Sequence, residues 1–224
     1  MAKNNQQGTQ QEQVATTVSG VEAFFKKNQK AIEWCLIIAI VVVLGILAYN
    51  RWVLAPAQAE AQSQMFQAEQ QFREGNFEAA LNGDGNILGF NQVIDQYGKK
   101  GCKSVYFYAG ICNLQLGNYQ EALDMLSKYS TRDKIMQGRA YCAMGDAYCN
   151  LQDYTNALSY YKKAAALEEN LYAAGYLLKA GLVCEETGDT DGALKLYKEI
   201  ETKYPMTLEG SEIQKYISRI ENSK

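Results

Sequence analysis

The chain repeats itself at a period too long for a helix or strand pattern and too regular for chance. Three segments, "YAGICNLQLGNYQEALDMLSKY", "AMGDAYCNLQDYTNALSYYKKA" and "KAGLVCEETGDTDGALKLYKEI", align in register. Gly110, Gly145 and Gly181 are separated by 35 and 36 residues, as are Ala122, Ala157 and Ala193. Tyr119, Tyr154 and Thr190 keep the same spacing, and Leu126, Tyr161 and Tyr197 fill another matching place. The third copy finishes with Tyr204-Pro205, a proline that stops a helix before the next element. An earlier, degenerate copy reads "AEQQFREGNFEAAL", with Phe77 and Ala80 in the equivalent places. Units of this length do not bury an apolar face alone, so they stack on their neighbours.

Each copy reads as a helix–turn–helix. Gly145 and Ala157 allow two antiparallel helices to approach closely, and Tyr148 and Tyr161 fill the space between them and the next pair. The turns read Gly-Asn, Gln-Asp and Gly-Asp, residues that favour turns and helix caps. The pattern resembles the tetratricopeptide repeat over roughly residues 60–205. It implies an all-α chain in which a helical solenoid ends in a capping helix, read from "TLEGSEIQKYISRIENSK". The first copy is interrupted by "NGDGNILG", Asn82 to Gly89, with roughly six extra residues. Its Gly83-x-Gly85 follows no strand and leads to no Gly-Lys-Ser/Thr, so it does not make a phosphate loop. Asn82, Asp84 and Asn86 alternate as calcium ligands do, but Val93 stands where an EF-hand needs Glu. The better account is a loop that breaks one helix.

A solenoid of helix pairs forms a concave surface from the first helix of each pair. By the repeat resemblance, the protein-binding groove is lined by Phe107, Ile111 and Leu114, by Arg139, Cys142, Asp146 and Cys149, and by Leu178, Leu182 and Glu185. This lining is mostly apolar, and the basic clamp with which some repeat proteins grip a terminal carboxylate is missing from it. Extended or amphipathic protein segments are the ligands it suits. The alternative is that several of these residues pack against the last helix or the insertion.

The second constraint lies upstream. Between Glu33 and Arg51 run seventeen uncharged residues, mostly Ile, Val, Leu and Ala, extended by Trp52, Val53 and Leu54. A helix rising ~1.5 Å per residue needs about 20 residues to cross a bilayer, more than a secretory signal usually offers. Ala55-Pro56-Ala57 fits a cleavage pattern, but length and position favour a retained single-pass anchor. Trp34, Tyr49 and Trp52 suit the headgroup level. Lys26, Lys27 and Lys30 precede the span and Arg51 alone follows closely. The positive-inside rule then puts the N-terminus in the cytoplasm and the C-terminal part outside. The chain divides into a disordered cytoplasmic tail (1–20), a juxtamembrane segment (21–33) and the anchor (34–54). The repeats (55–206, insertion 82–89) and a capping helix with tail (207–224) follow.

Composition narrows the chemistry. The net charge is −3 and no basic stretch lies outside the juxtamembrane lysines, which argues against nucleic acid as partner. No histidine is present, so His-dependent acid–base chemistry, nucleophile systems and the usual zinc sites are unavailable. The reading is of a non-enzyme without cofactor or metal. Cys102, Cys112, Cys142, Cys149 and Cys184 are odd in number and lack C-x-x-C spacing, which favours buried free thiols and leaves one disulfide open.

The tail "VEAFFKKNQKA" with Phe24 and Phe25, the span ending in "YNRW" and the exported repeats together resemble the YfgM family of ancillary translocon subunits. "GDGNILGF" resembles a variant of Bacteroidota relatives. That resemblance implies an inner-membrane, single-pass protein with a periplasmic C-terminal domain. It also implies partners in the SecYEG translocon and a PpiD-like periplasmic chaperone, and a chaperone-like role in protein transport. A scaffold of another envelope complex, for outer-membrane insertion or secretion, shares every feature read from the residues. A receptor facing the cytosol is a third possibility, which the juxtamembrane resemblance disfavours.

Overall fold

The computed structural model describes residues 4–222, with side chains from Lys27 onward except Lys99. The chain forms two compact units, residues 1–56 and 57–224. Every regular element among the described residues is helical.

In the first unit, α1 runs from Asn4 to Tyr49 and leads into a π-turn, Asn50–Leu54. The Gln-rich stretch from Asn4 onward lies within α1. Gln, Glu and Ala are good helix formers, and the segment holds no proline. The wide turn is closed by the Ala55 N–H on the Asn50 carbonyl and sits just before Pro56, which has no N–H to give. One helical run among the described residues is long and apolar enough to cross a membrane, and none of its apolar window is buried by protein. Trp34, Tyr49 and Trp52 are exposed, as are Lys27, Lys30 and Arg51. The side chains of Phe24, Phe25 and Lys26 lie outside the described residues.

The second unit is a stack of helix pairs. Helix α2 (Ala55–Arg73) packs with two short helices, α3 (Phe77–Asn82) and α4 (Phe90–Tyr97), around Met65, Leu81, Phe90 and Val93. Three full pairs follow: α5 (Ser104–Gln115) with α6 (Tyr119–Lys128), α7 (Lys134–Asn150) with α8 (Tyr154–Ala166), and α9 (Leu171–Glu186) with α10 (Thr190–Lys203). A last helix, α11 (Leu208–Asn222), buries Ile213, Ile217 and Ile220 against α9 and α10.

The matching glycines explain the closeness of each pair. A Cβ on Gly110 would lie 2.6 Å from Leu126, one on Gly145 2.6 Å from the Tyr161 ring, and one on Gly181 2.2 Å from the Tyr197 ring. Tyr148 stacks instead on Tyr160, with ring centroids 5.3 Å apart. The turns share a left-handed residue at Gly117 (φ 82°), Gln152 (φ 60°) and Gly188 (φ 79°). Asp153 and Asp189 then cap the following helices through their carboxylates.

Residues 83–89 form the irregular loop that separates α3 from α4. Asp84 Oδ1 accepts the backbone N–H of Asn86 at 2.9 Å and of Ile87 at 3.1 Å, tying the loop to itself. The helical register resumes with Phe90, fully buried beside Leu81.

Candidate protein-binding groove

Helices α2, α5, α7 and the start of α9 enclose a groove of about 740 Å³. Six of the residues read from the sequence meet there: Phe107, Ile111 and Leu114 from α5, and Arg139, Cys142 and Asp146 from α7. They share one face because residues three and four apart on a helix are neighbours, and the stack sets α5 and α7 side by side.

The other four are placed elsewhere. Cys149 and Leu178 are half-buried against the cluster formed by α7 to α11. Leu182 is 41% exposed and lies outside the groove lining. Glu185 accepts a hydrogen bond from the Tyr197 hydroxyl, and both its oxygens accept from Arg219 Nη2 at 2.7 Å. Helix α11 packs on α10 and α9 as the next layer of the stack, and from there its Arg219 holds Glu185. A Cβ on Gly175 would lie 3.1 Å from Glu209 of the same helix, so α11 follows α9 over more than two turns.

Several lining residues were missed from sequence. Phe72 of α2 stands edge-on to Tyr108 with centroids 5.2 Å apart, and Tyr108 stands edge-on to Phe107 at 5.8 Å. Met136, Tyr172 and Tyr176 complete the apolar wall. For Phe72 a signal existed: it precedes Gly75 as Leu114 precedes Gly117, so the degenerate copy carries it in the equivalent place. A second depression of about 610 Å³ shares Cys142, Tyr172 and Tyr176 and continues to Leu171, Met206 and Leu208. Met206 is 98% and Leu208 74% exposed, an apolar rim that faces solvent.

The charges of the groove are mostly internally matched. Asp146 receives Lys179 Nζ at 2.6 and 2.8 Å and the Tyr161 hydroxyl at 2.7 Å. Glu69 faces Arg73 at 3.9 Å. Burial, reinforced by the Asp146 charge, pushes the Cys142 thiol up to about 11. Burial likewise lifts the Tyr176 phenol to about 12, so both groups are protonated at neutral pH. A thiol in that state is a poor nucleophile and a poor metal ligand. The groove therefore offers apolar surface, aromatic edges and hydrogen-bond donors.

Family models of the tetratricopeptide repeat match residues 142–205 and 104–133. Among solved structures, one crystal structure of MamA superposes with a TM-score of 0.53 at 19% identity, covering 69% of this chain and 92% of that one. A second crystal structure of MamA protein gives 0.55 at 19%, with 72% and 88% covered. At that identity the likeness concerns the fold. A search of curated proteins finds no match. Residues 104–133 and 142–205 are tetratricopeptide repeats, modules of protein–protein interaction, in an all-α solenoid.

Proposed function

We propose that the chain is a membrane-anchored, non-enzymatic scaffold whose groove holds extended or amphipathic protein segments on the periplasmic side of the inner membrane. The observation that carries this reading is the aromatic-edged groove spanning α2, α5, α7 and α9, in a chain that also holds one helical run fit to cross a bilayer. Residues 34–54 act as the anchor, the lysine-flanked N-terminal side lies in the cytoplasm, and 207–224 caps the repeats.

The finer reading places this scaffold beside the SecYEG translocon, with a PpiD-like chaperone as neighbour, where it assists emerging chains. Its support is the resemblance of the juxtamembrane segment and span to the YfgM family. The test is purification of the full chain from gently solubilised membranes, with photocrosslinkers at Tyr49 and Tyr172. Adducts to SecY and to the chaperone support the translocon role. Adducts to another envelope complex leave the scaffold and overturn the translocon. Protease access from the periplasmic face checks the orientation separately, since protection of the repeats there overturns the topology.

A further inference from the structure

We propose that the groove selects segments carrying an acidic side chain among apolar ones, and that Arg139 is the residue that recognises that carboxylate. The inference rests on the groove being a protein-binding surface and adds a ligand class to it.

The argument comes from how the charges are distributed. Four ionised side chains line the groove: Glu69, Arg73, Arg139 and Asp146. Glu69 and Arg73 face each other, and both oxygens of Asp146 are taken by Lys179. Arg139 differs. It is exposed on the inner face of α7, and among the described residues it forms no ion pair. Its charge bears on Tyr108 of α5 and on Tyr176 of α9, the phenols on either side of it. A guanidinium presents a planar fork of N–H donors that matches a carboxylate in bidentate fashion. Partial exclusion of water by aromatic walls strengthens such a pair relative to open solution. The flanking phenols remain protonated at neutral pH and add O–H donors for the same anion. Within this lining both carboxylates are opposed by bases, Glu69 by Arg73 and Asp146 by Lys179, whereas Arg139 is opposed by none.

The apolar partners of the carboxylate have their places too. Phe72 and Phe107 lie on one side of Arg139, and Tyr172, Met206 and Leu208 lie on the other. A segment crossing the groove thus meets apolar wall, cation and apolar wall in turn. That order calls for one Asp or Glu flanked by apolar residues.

The test uses the full chain in detergent micelles and short peptides blocked at both ends, bearing a neutral dye, read by fluorescence anisotropy. The peptides share Leu, Ile and Tyr at several spacings and differ only in a central Glu, Gln or Lys. The expected result is that the Glu peptide binds about tenfold more tightly than the Lys peptide. Arg139→Gln should remove that difference and Arg139→Glu should reverse it; the side chain is exposed, so neither change disturbs packing. Binding that follows apolar content alone, with the same order in Arg139→Glu, overturns the proposal and leaves the groove. Absence of binding by every peptide overturns the groove reading together with the proposal.

Discussion

The Tyr161 hydroxyl donates to Asp146 at 2.7 Å, and the same carboxylate is held by Lys179 of the following repeat. The motif recurs one repeat later, where the Tyr197 hydroxyl donates to Glu185 and Arg219 completes the pair. In each case a tyrosine packed on a glycine fixes an acid, and the acid reaches a base on the next helix layer. The first full repeat has Leu126 in the tyrosine's place and lacks this link. These links tie one layer to the next through charged groups, beside the apolar core that the layers share.

Asp146 and Lys179 should therefore couple measurably. Their side chains are 29% and 43% exposed, so screening by water reduces the attraction to about 0.5–1 kcal/mol. A double-mutant cycle with Asp146→Asn and Lys179→Met, read by urea unfolding, should return that figure and a smaller one at high salt. A cycle that closes to zero at low salt removes the link from the account.

Gly145→Ala should destabilise the protein although it sits in a helix. Alanine gains about 1 kcal/mol over glycine in an open helix. Here the added carbon would come within 2.6 Å of the Tyr161 ring, and overpacking of that kind costs about 1–3 kcal/mol. Gly181→Ala, with only 2.2 Å available, should be worse. Thermal melts followed by far-UV circular dichroism settle it, and an unchanged or raised Tm for either variant contradicts the packing argument.

Gln152→Gly should raise stability. Gln152 holds φ 60°, where the other copies use Gly117 and Gly188. Left-handed backbone costs a side-chain-bearing residue about 1–2 kcal/mol, part of which glycine loses again through its freer unfolded chain. The expected net gain is about 0.5–1 kcal/mol, seen as a higher urea midpoint with an unchanged slope.

Alkaline pH should loosen the repeats through their thiols. Burial lifts Cys112 from 9.0 to about 12 and Cys142 from 9.0 to about 11. Below pH 9 both forms of the protein hold these protons, and the contribution to stability is intact. Above it the unfolded chain releases them first, so stability falls with rising pH up to the folded values. Each thiol contributes a slope of about 1.4 kcal/mol per pH unit in that window. Unfolding midpoints measured from pH 8 upward should bend down, and the bend should shrink in Cys142→Ala. An unchanged bend there removes Cys142 from the cause.

What the sequence disclosed followed from its period. The glycine–tyrosine partners, the turns and the inner faces of α5 and α7 all repeat at one spacing, so each copy reports on the others. Phe72 obeyed the same register within a copy interrupted by residues 83–89. Tyr176 did not, since its equivalent one repeat earlier is the buried Ala140; only a long side chain reaches the groove from that place. On α9 the same register picks out Leu178, Leu182 and Glu185, which lie outside the groove lining. Periodicity predicts which way a helix face points, and it is silent on whether a non-repeating helix, α11, lies against it. The tie from Asp146 to Lys179 spans 33 residues and leaves no local pattern to find.

The position of α11 ends the stack of layers. Arg219 grips Glu185, and Ile213, Ile217 and Ile220 occupy the surface on which another repeat would stack. The exposed side of α11 carries Gln214, Lys215, Ser218 and Glu221. On the proposed reading, a guest segment that enters beside Phe72 and passes Arg139 runs on over Tyr172 towards the exposed Met206 and Leu208. The number of layers that can present an inner face is thus fixed by where α11 ends the stack, independently of how well each side chain fits.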